Sequence, residues 1–349
     1  MELNNKVLLG MSGGTDSSVA AMLLKDAGYE VVGITFRFYE KDGNTAYIDD
    51  ARRLCMRMGM PHLVYDVRED FRKRIIGYFI DEYMRGRTPV PCSLCNNLFK
   101  WPLLKKVADE QGIYYLATGH YVQRRQVNGY WHVVCGADHD KDQSFFLWGL
   151  GQDIVGRMML PLGGLTKTQV DELAAVRNFR TATMHKNSVS VCFCPKDYRS
   201  FLRRHVDAGR IETGFFYDEA GVCLGKHEGY PFYTIGQRRG LGLNLNKKLF
   251  VKSIIPRENK IVLCSDLEAL EQREMFLSSW HLVDESEILG HDDVVVRIRY
   301  RKQSNRCMVT KHEDGRLHVR LYEPLASIAP GQAAVFYRGD VVLGGGIID

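Results

Sequence analysis

Long apolar runs are absent from this sequence: no stretch approaches the ~18 consecutive apolar residues of a membrane-spanning helix. The first residues also lack the basic segment followed by an apolar segment that marks an export signal. These two absences argue against export and against a membrane partner. We therefore expect a cytoplasmic protein.

A regular cysteine framework is absent as well. The nine cysteines are scattered over 349 residues, which is not the pattern of a secreted protein held together by disulfides. They indicate a reducing compartment in which some thiols are free for chemistry. Low-complexity tracts and internal repeats are also missing. The net charge of +5 permits a polyanionic partner without identifying one.

The composition is that of a globular protein of two or three domains, with 45% hydrophobic and 26% charged residues. Up to about residue 120, apolar runs alternate with segments of helical spacing, which predicts a parallel sheet with helices on both faces. After about residue 205 the apolar period changes to two, as in Leu317, Val319 and Leu321, which predicts mostly antiparallel strands. We expect an α/β N-terminal domain (1–204), a central β-rich domain (205–270) and a C-terminal β-barrel (271–349).

A segment rich in glycine and hydroxyl side chains lies between the first predicted strand and the first predicted helix. It reads Gly10, Met11, Ser12, Gly13, Gly14, Thr15, Asp16, Ser17 and Ser18. A strand, such a turn and a helix direct backbone N–H groups and a helix N-terminus at an anion. Glycine lets the backbone approach a phosphate, the hydroxyls supply further donors, and Asp16 can hold Mg²⁺. An ordinary strand–helix turn is the alternative.

This segment contains no Gly-Lys-Ser/Thr, so it is not the P-loop of phosphoryl-transfer enzymes. Ser-Gly-Gly-x-Asp-Ser instead resembles the pyrophosphate loop of the ATP pyrophosphatases. Enzymes with that loop split ATP between the α and β phosphates and adenylate a substrate oxygen. The resemblance implies a chemistry but no substrate.

A first pair of cysteines, Cys92 and Cys95, lies in a turn that contains two prolines. We expect Asn96 or Asn97 to cap the helix that follows, so that the helix dipole stabilises a thiolate and makes it nucleophilic near neutral pH. Taken alone, the pair is compatible with a redox couple, half of a metal site or two inert thiols.

A second pair, Cys192 and Cys194, lies near the end of the α/β region among apolar neighbours. Two small buried side chains on a strand are the alternative interpretation of this pair. An adenylating loop together with two thiol-bearing segments indicates sulfur transfer, in which adenylation makes an oxygen a leaving group and a persulfide supplies the sulfur.

With the loop and both cysteine pairs, the chain resembles the bacterial tRNA-specific 2-thiouridylases, which replace the 2-oxygen of the wobble uridine of certain tRNAs by sulfur. The resemblance runs nearly end to end, and its motifs are specific through their order and spacing. They are 10–18, Gly59-Met60-Pro61-His62, 86–96, Ala117-Thr118-Gly119-His120-Tyr121-Val122, Lys141-Asp142-Gln143-Ser144, 163–167, 234–242, Arg299-Tyr300-Arg301, 330–337 and 343–348.

The resemblance implies a Rossmann-like ATP pyrophosphatase fold for the N-terminal domain, with ATP and Mg²⁺ as requirements. The ATP contacts that it implies are residues 10–17 together with Phe36 and Gly119. Cys95 corresponds to the family's nucleophile and Cys192 to the cysteine that carries the persulfide. The implied product of sulfur release is a transient Cys95–Cys192 disulfide.

Further positions match the family's tRNA contacts. They are Val90, Pro91, His120, Lys141, Asp142, Gln143, Arg299, Tyr300, Arg301, Lys302 and Gln332. Without the resemblance, the arginines near 299 are compatible with the solvated face of a strand. The implied partners are tRNA and a persulfide donor, either a cysteine desulfurase or a sulfur-relay protein, and we expect the chain to act as a monomer.

The chain departs from the family pattern around its thiols. Some members carry aspartate where this chain has Cys92, so Cys92 is a candidate acid, base or cluster ligand. Cys92, Cys95 and Cys192 could also converge on an iron–sulfur cluster that activates sulfide, as in related thiolases. The second segment has Val189-Ser190 in place of Thr-Gly, and Cys194 is an additional thiol.

Three functions are therefore carried forward. The first is an ATP-dependent 2-thiouridylase. The second is a different ATP pyrophosphatase, such as an amide-forming ligase, which would need neither thiol pair. The third is a non-catalytic tRNA-binding paralogue that keeps the fold.

Overall fold

The computed structural model describes residues 3–40, 43–177, 191–194, 197–244, 247–300 and 304–349. Within those ranges, every helix is too short or too polar to cross a membrane. The strands are β1 (Lys6–Gly10), β2 (Glu30–Arg37), β3 (His62–Asp66), β4 (Tyr115–Ala117), β5 (Val122–Val127), β6 (Tyr130–Cys135), β7 (Met158–Met159), β8 (Gly214–Tyr217), β9 (Cys223–His227), β10 (Phe250–Ile255), β11 (Lys260–Cys264), β12 (Glu271–Leu282), β13 (Val295–Arg297), β14 (Asn305–Lys311), β15 (Leu317–Ala326), β16 (Ala333–Arg338) and β17 (Val341–Ile348).

The helices lie mainly in the first half of the chain. They are α1 (Thr15–Asp26), α2 (Ala46–Arg57), α3 (Arg68–Phe71), α4 (Gly77–Met84), α5 (Pro91–Cys95), α6 (Trp101–Glu110), α7 (Gln152–Val155), α8 (Lys167–Val176) and α9 (Tyr198–His205). Two π-helical turns, Arg72–Ile76 and Asn96–Lys100, join α3 to α4 and α5 to α6. Short 3₁₀ turns are Ser144–Phe146, Tyr230–Phe232, Pro256–Glu258, Glu268–Leu270 and Glu285–Glu287.

The N-terminal domain is built on a five-stranded parallel sheet in the order β3-β2-β1-β4-β7. Val7, Leu8 and Leu9 of the central strand β1 are fully buried, as expected of a strand covered on both faces. All five strands run in the same direction, so the loops that follow them meet at one edge of the sheet. The predicted α/β class of this domain is confirmed.

The C-terminal barrel closes on itself. Six strands follow the order β12-β15-β14-β13-β16-β17, and β17 pairs again with β12. Alternate side chains fill its interior, including Val296, Val309, Val319 and Phe336, all fully buried. The predicted barrel is therefore confirmed. The central sheet, β10-β11-β8-β9, contains one parallel pairing, between β11 and β8, in addition to its antiparallel ones.

The hairpin β5–β6 connects the first domain to the barrel, which the sequence did not predict. β6 pairs with β17 through Val134 and Val341, so the barrel sheet continues into the hairpin. A loop of the barrel also contacts the segment before α5. Thr88 donates its backbone N–H to Pro330, and the Gln332 side chain donates to the Thr88 carbonyl at 2.9 Å.

Candidate active site

The segment that follows β1 forms a tight loop at the N-terminus of α1. Gly13 has φ +75°, and a Cβ at this position would lie 2.6 Å from the Tyr47 carbonyl oxygen. Ser17 and Ser18 donate their hydroxyls to the Gly14 carbonyl at 3.1 and 2.8 Å. The N-cap residue is Gly14, which has no side chain to cap the first N–H groups of α1. These groups are therefore directed at the loop, the arrangement that binds a phosphate.

Replacement of Gly13 by alanine is expected to lower the free energy of unfolding by about 1–3 kcal/mol, because φ is positive and the new Cβ meets backbone atoms. Gly14 offers a matched control: its φ is −92°, and a Cβ there would meet only the Ser12 hydroxyl, at 3.4 Å. Urea denaturation of both variants measures the difference. Equal stability of Gly13→Ala and Gly14→Ala would contradict the loop geometry.

Asp16, in the first turn of α1, lies at the centre of a polar cluster. Tyr121 donates its hydroxyl to Asp16 Oδ1 at 2.9 Å, and Lys167 Nζ lies 2.6 Å from the same oxygen. Lys167 also pairs with Asp171 at 3.0 Å. Gly119 is packed against this turn, since a Cβ there would lie 3.1–3.3 Å from the backbone of Asp16 and Ser17. A partly exposed carboxylate beside an uncapped helix N-terminus suits Mg²⁺ bound with a polyphosphate.

Phe36 lies near the carboxyl end of β2, beside this loop in the sheet. The residue is 8% exposed, and its ring contacts Phe38 and Tyr65 at centroid distances of 5.7 and 6.3 Å. Met11, at the start of the loop, donates its N–H to Ile34 of β2 at 2.7 Å. The predicted adenosine-side residue Phe36 and the phosphate loop thus lie at the same edge of the parallel sheet.

Cys92 and Cys95 lie within the first turns of a helix that starts at Pro91, in the favoured first position for proline. The expected cap is therefore wrong: Asn96 and Asn97 are inside the helix and buried, and the Asn96 amide donates to the Cys92 carbonyl. The helix begins earlier because proline removes an N–H that has no partner in the first turn.

Cys192 occupies a tight turn from Val191 to Cys194, closed by a hydrogen bond from the Cys194 N–H to the Val191 carbonyl at 2.9 Å. Phe193, 2% exposed, anchors this turn among the rings of Tyr39, Phe71, Phe79 and Phe201. Cys194 is buried, whereas the Cys192 residue is exposed. All nine cysteines fall within the described residues, and each is a free thiol.

The two cysteine segments lie near enough for the charge of Cys192 to act on Cys92 and Cys95. Burial raises the pKa of Cys92 to about 11, and the nearby charges of Cys192 and Cys95 raise it further. Desolvation also raises the pKa of Cys95 and of Cys192. The Lys100 ammonium opposes the rise at all three thiols. The structure therefore does not support the predicted thiolate near neutral pH, because desolvation outweighs the Lys100 charge at each thiol.

The three thiols do not form a metal site in this arrangement. Among the described residues, no group of three or more His, Cys, Asp or Glu side chains is placed to hold a metal ion. Cys92, Cys95 and Cys192 all lie within those residues. An iron–sulfur cluster on these thiols stays a prediction that this arrangement does not support.

His120 lies in the loop after β4, next to Trp101 at the start of α6. Its Nδ1 is 2.6 Å from the Thr118 hydroxyl, and its ring centroid is 5.9 Å from that of Trp101. Desolvation, with a smaller effect of the Lys100 charge, lowers the pKa of His120 to about 3. Its imidazole is therefore neutral at neutral pH and can accept or donate a hydrogen bond, but it does not supply a positive charge.

Comparison with known proteins agrees with this geometry. Residues 5–196 match the family model described as a tRNA methyl transferase HUP domain, residues 199–265 the tRNA methyl transferase PRC-barrel domain, and residues 272–348 the aminomethyltransferase beta-barrel domain. The tRNA-specific 2-thiouridylase MnmA 2 of Phocaeicola vulgatus is 64% identical over 347 residues, which is 99% of each chain. The chain belongs to the tRNA-specific 2-thiouridylase family.

Members of this family differ in their similarity to the chain. MnmA 1 of Bacteroides fragilis is 58% identical over 358 residues, which cover 100% of this chain and 98% of that protein. MnmA 3 of the same strain is 43% identical over 350 residues, which cover 99% of this chain and 95% of that protein. The chain is thus similar to two distinct 2-thiouridylases of a single strain.

Several positions predicted from the family as tRNA contacts hold the structure together. Asp142 is buried and accepts hydrogen bonds from the N–H groups of Gly136 and Ser144 and from the Ser144 hydroxyl. The Gln143 side chain accepts from the Tyr121 N–H at 3.0 Å. Lys141 is partly exposed. A role of these three residues in tRNA binding stays a prediction.

The remaining predicted tRNA positions lie at two places. Val90 and Pro91 are buried at the start of α5, where Gln332 reaches from the barrel. Arg299 and Tyr300 are exposed after β13, and the Tyr300 ring stacks on Phe146 at 5.0 Å. The predictions for Arg301 and Lys302 lie outside the described residues.

Three residues of the site were not predicted from the sequence: Tyr121, Lys167 and Lys100. Tyr121 and Lys167 contact Asp16, and Lys100 acts on the pKa of all three thiols. The position of Lys167 could have been predicted from Thr166 and Gln169. Their spacing is that of a capping box, which places Lys167 at the first position of a helix.

Proposed function

We propose that this chain is a tRNA uridine 2-sulfurtransferase that uses ATP to replace the 2-oxygen of the wobble uridine (U34) by sulfur. The observation that supports this proposal is that Cys192 lies near enough to Cys92 and Cys95 for its charge to act on their pKa values, in a domain whose β1–α1 loop has uncapped helix N–H groups. An amide-forming ATP pyrophosphatase needs the loop but not the thiols. Family membership supports the same choice of reaction.

In the proposed reaction, ATP supplies an adenylyl group that turns the uridine 2-oxygen into a leaving group. The N–H groups at the start of α1 bind the phosphates and stabilise charge that develops on them. Asp16 is placed to hold Mg²⁺ next to them. Phe36 and Gly119 lie at the same sheet edge and are proposed to border the adenosine.

Sulfur then comes from a persulfide on Cys192. Its terminal sulfur forms a bond to C2 of the uracil while the bond from C2 to the adenylated oxygen breaks and AMP leaves. The Cys95 thiolate next attacks Cys192 Sγ, so that the thiouridine sulfur departs with the bonding electron pair and a Cys95–Cys192 disulfide forms. An external thiol must supply two electrons to that disulfide before the next turnover.

We also propose how the substrate is held. A uridine inside a folded anticodon loop reaches a buried site only when it is unstacked and turned outward. The neutral His120, with Val90 and Pro91, would border that base, and exposed Arg299 would contact phosphates. The persulfide is expected from a cysteine desulfurase or a relay protein. A monomer in the cytoplasm, where tRNA and reduced thiols coexist, is part of the proposal.

The test is the nucleoside content of unmodified tRNA after incubation with the protein, ATP, Mg²⁺ and a persulfide source. We expect 2-thiouridine at the wobble position, with one AMP and one pyrophosphate released for each sulfur inserted. Omission of ATP should abolish the product. Binding of tRNA without any 2-thiouridine would favour the non-catalytic paralogue, and absence of tRNA binding would contradict the proposed substrate.

A further inference from the structure

Lys167 begins α8, and it contacts the phosphate loop from far away in the sequence. Its Nζ lies 2.6 Å from Asp16 Oδ1 and 3.0 Å from Asp171 Oδ1. Asp16 is the second residue of α1, one position after the start of the helix whose N–H groups face the loop. A phosphate bound at that helix end therefore lies within one lysine side-chain length of Lys167.

The backbone of Lys167 is held firmly, and its side chain is long and partly exposed. Thr166 and Gln169 form a complete capping box at the start of α8, and the Lys167 N–H donates to Asp138 Oδ2 at 2.8 Å. The side chain is 22% exposed, and its ammonium is at the end of four rotatable carbons. Such an arm can exchange one anionic partner for another without a change in the backbone.

The charges around Lys167 favour such an exchange. The Lys167 ammonium is already paired with two carboxylates, Asp16 and Asp171, so it lies where anionic oxygens are bound. Asp16 keeps a second donor, the Tyr121 hydroxyl at 2.9 Å, when the lysine leaves. Its carboxylate is then also available to the Mg²⁺ proposed above.

We propose that Lys167 is a catalytic residue of the adenylation step, in which its ammonium moves from Asp16 to the departing pyrophosphate. The inference rests on the proposed function, since it deepens the same site. In that step the uridine 2-oxygen forms a bond to the α-phosphorus, and the bond from this phosphorus to the oxygen that bridges to the β-phosphorus breaks. The electron pair stays on that oxygen, and the N3 proton of the uracil is released to solvent. Lys167 neutralises the charge that accumulates on the leaving group.

The experiment follows pyrophosphate release in a single turnover with the persulfide-loaded enzyme, unmodified tRNA and increasing ATP. Lys167→Met is expected to lower the maximal rate by about 100-fold or more, the usual effect of losing one group that stabilises developing charge. The ATP concentration for half-maximal rate should change much less, because the ammonium is paired with Asp16 before reaction. Lys167→Arg should recover most of the rate, since it keeps the charge.

Lys105 provides the matched control. It also bridges two aspartates, Asp109 at 3.2 Å and Asp153 at 3.4 Å, at a similar exposure of 29%, but on α6 and away from the loop. Lys105→Met should release pyrophosphate at the wild-type rate. If Lys167→Met does not fold, Lys167→Gln replaces it in the experiment. Glutamine keeps a donor for Asp16 but has no charge, so the same loss of maximal rate is expected.

The outcomes separate the inference from the function on which it rests. An unchanged maximal rate in the uncharged Lys167 variants, or a higher ATP requirement alone, would overturn the catalytic role and leave Lys167 as a positioning partner of Asp16. Wild-type enzyme that binds tRNA but neither releases pyrophosphate nor forms 2-thiouridine would contradict the proposed function and, with it, the role of Lys167.

Discussion

Replacement of Cys192 by serine is expected to abolish 2-thiouridine formation, with tRNA binding retained. A serine hydroxyl cannot carry the transferable sulfur, and the substitution is nearly isosteric in an exposed turn held by Phe193. Pyrophosphate release should persist for one turnover, because the phosphate loop is a separate part of the site. Nucleoside analysis and a parallel pyrophosphate assay measure both effects.

Cys95→Ser should stop the reaction at a later point. Without the Cys95 thiolate, the transferred sulfur remains bonded to Cys192, so the tRNA stays attached to the protein through a disulfide that added thiol releases. A gel without reductant detects that adduct. Cys223, an exposed cysteine in β9 of the central sheet, gives the control, and Cys223→Ser should have wild-type activity. Full activity of either Cys95→Ser or Cys192→Ser would contradict the two-thiol mechanism.

The raised pKa values of these thiols lower their reactivity before substrate binds. Desolvation raises the pKa of Cys92, Cys95 and Cys192, so these thiols are mostly protonated at neutral pH. Lys100 is the positive charge that acts on all of them. Low thiolate content protects a reactive pair from oxidation and alkylation while no substrate is bound.

Lys100 also shows why this part of the site could not be predicted from the sequence. It lies five residues after Cys95, and in a regular α-helix that spacing turns the two side chains well away from each other. The segment Asn96–Lys100 is a π-helical turn, which is wider and changes the relation between the two faces. Apolar periodicity carries no signal for such a turn, so the sequence predicted an ordinary helix with an asparagine cap.

The phosphate loop, by contrast, could be predicted almost completely. Its conformation depends on near neighbours: Gly13 needs a positive φ, and Ser17 and Ser18 bond to Gly14 within the same turn. Local chemistry of this kind is visible in a short stretch of sequence. Lys167 reaches Asp16 across 151 positions, and only the order of the strands in the sheet brings the two together.

The contact between the barrel and the active-site helix was missed for a similar reason. Gln332 and Pro330 bond to Thr88, just before Cys92, and a Cβ on Gly331 would lie 2.9 Å from the Thr88 carbonyl oxygen. The sequence predicted a barrel and a thiol-bearing turn, but nothing in either segment indicated that they touch. This contact makes the C-terminal domain part of the support for Cys92 and Cys95.

Phe193→Leu is expected to reduce sulfur transfer by more than tenfold, an effect that its cost in stability does not explain. The Phe193 ring fixes the turn that presents Cys192, at centroid distances of 5.1 Å from Phe79 and 5.3 Å from Phe201. Leucine fills the space incompletely and should cost about 0.5–3 kcal/mol of the free energy of unfolding. A displacement of about 1 Å in a reacting group can cost about 100-fold in rate. Single-turnover 2-thiouridine formation, measured well below the unfolding temperature, tests this expectation.

Phe216→Leu separates positioning from stability. Phe216 is also fully buried, but it lies in the central sheet against His227 and Tyr233. It should lose a similar amount of stability and keep the wild-type rate of sulfur transfer. In Phe193→Leu, pyrophosphate release should remain normal while sulfur insertion slows, because the Phe193 ring packs against Tyr39, Phe71, Phe79 and Phe201, which are not part of the phosphate loop. If Phe193→Leu slowed pyrophosphate release and sulfur insertion equally, Phe193 would act on the stability of the whole domain. If Phe193→Leu and Phe216→Leu transferred sulfur at the same rate, the turn would place Cys192 without help from the Phe193 ring.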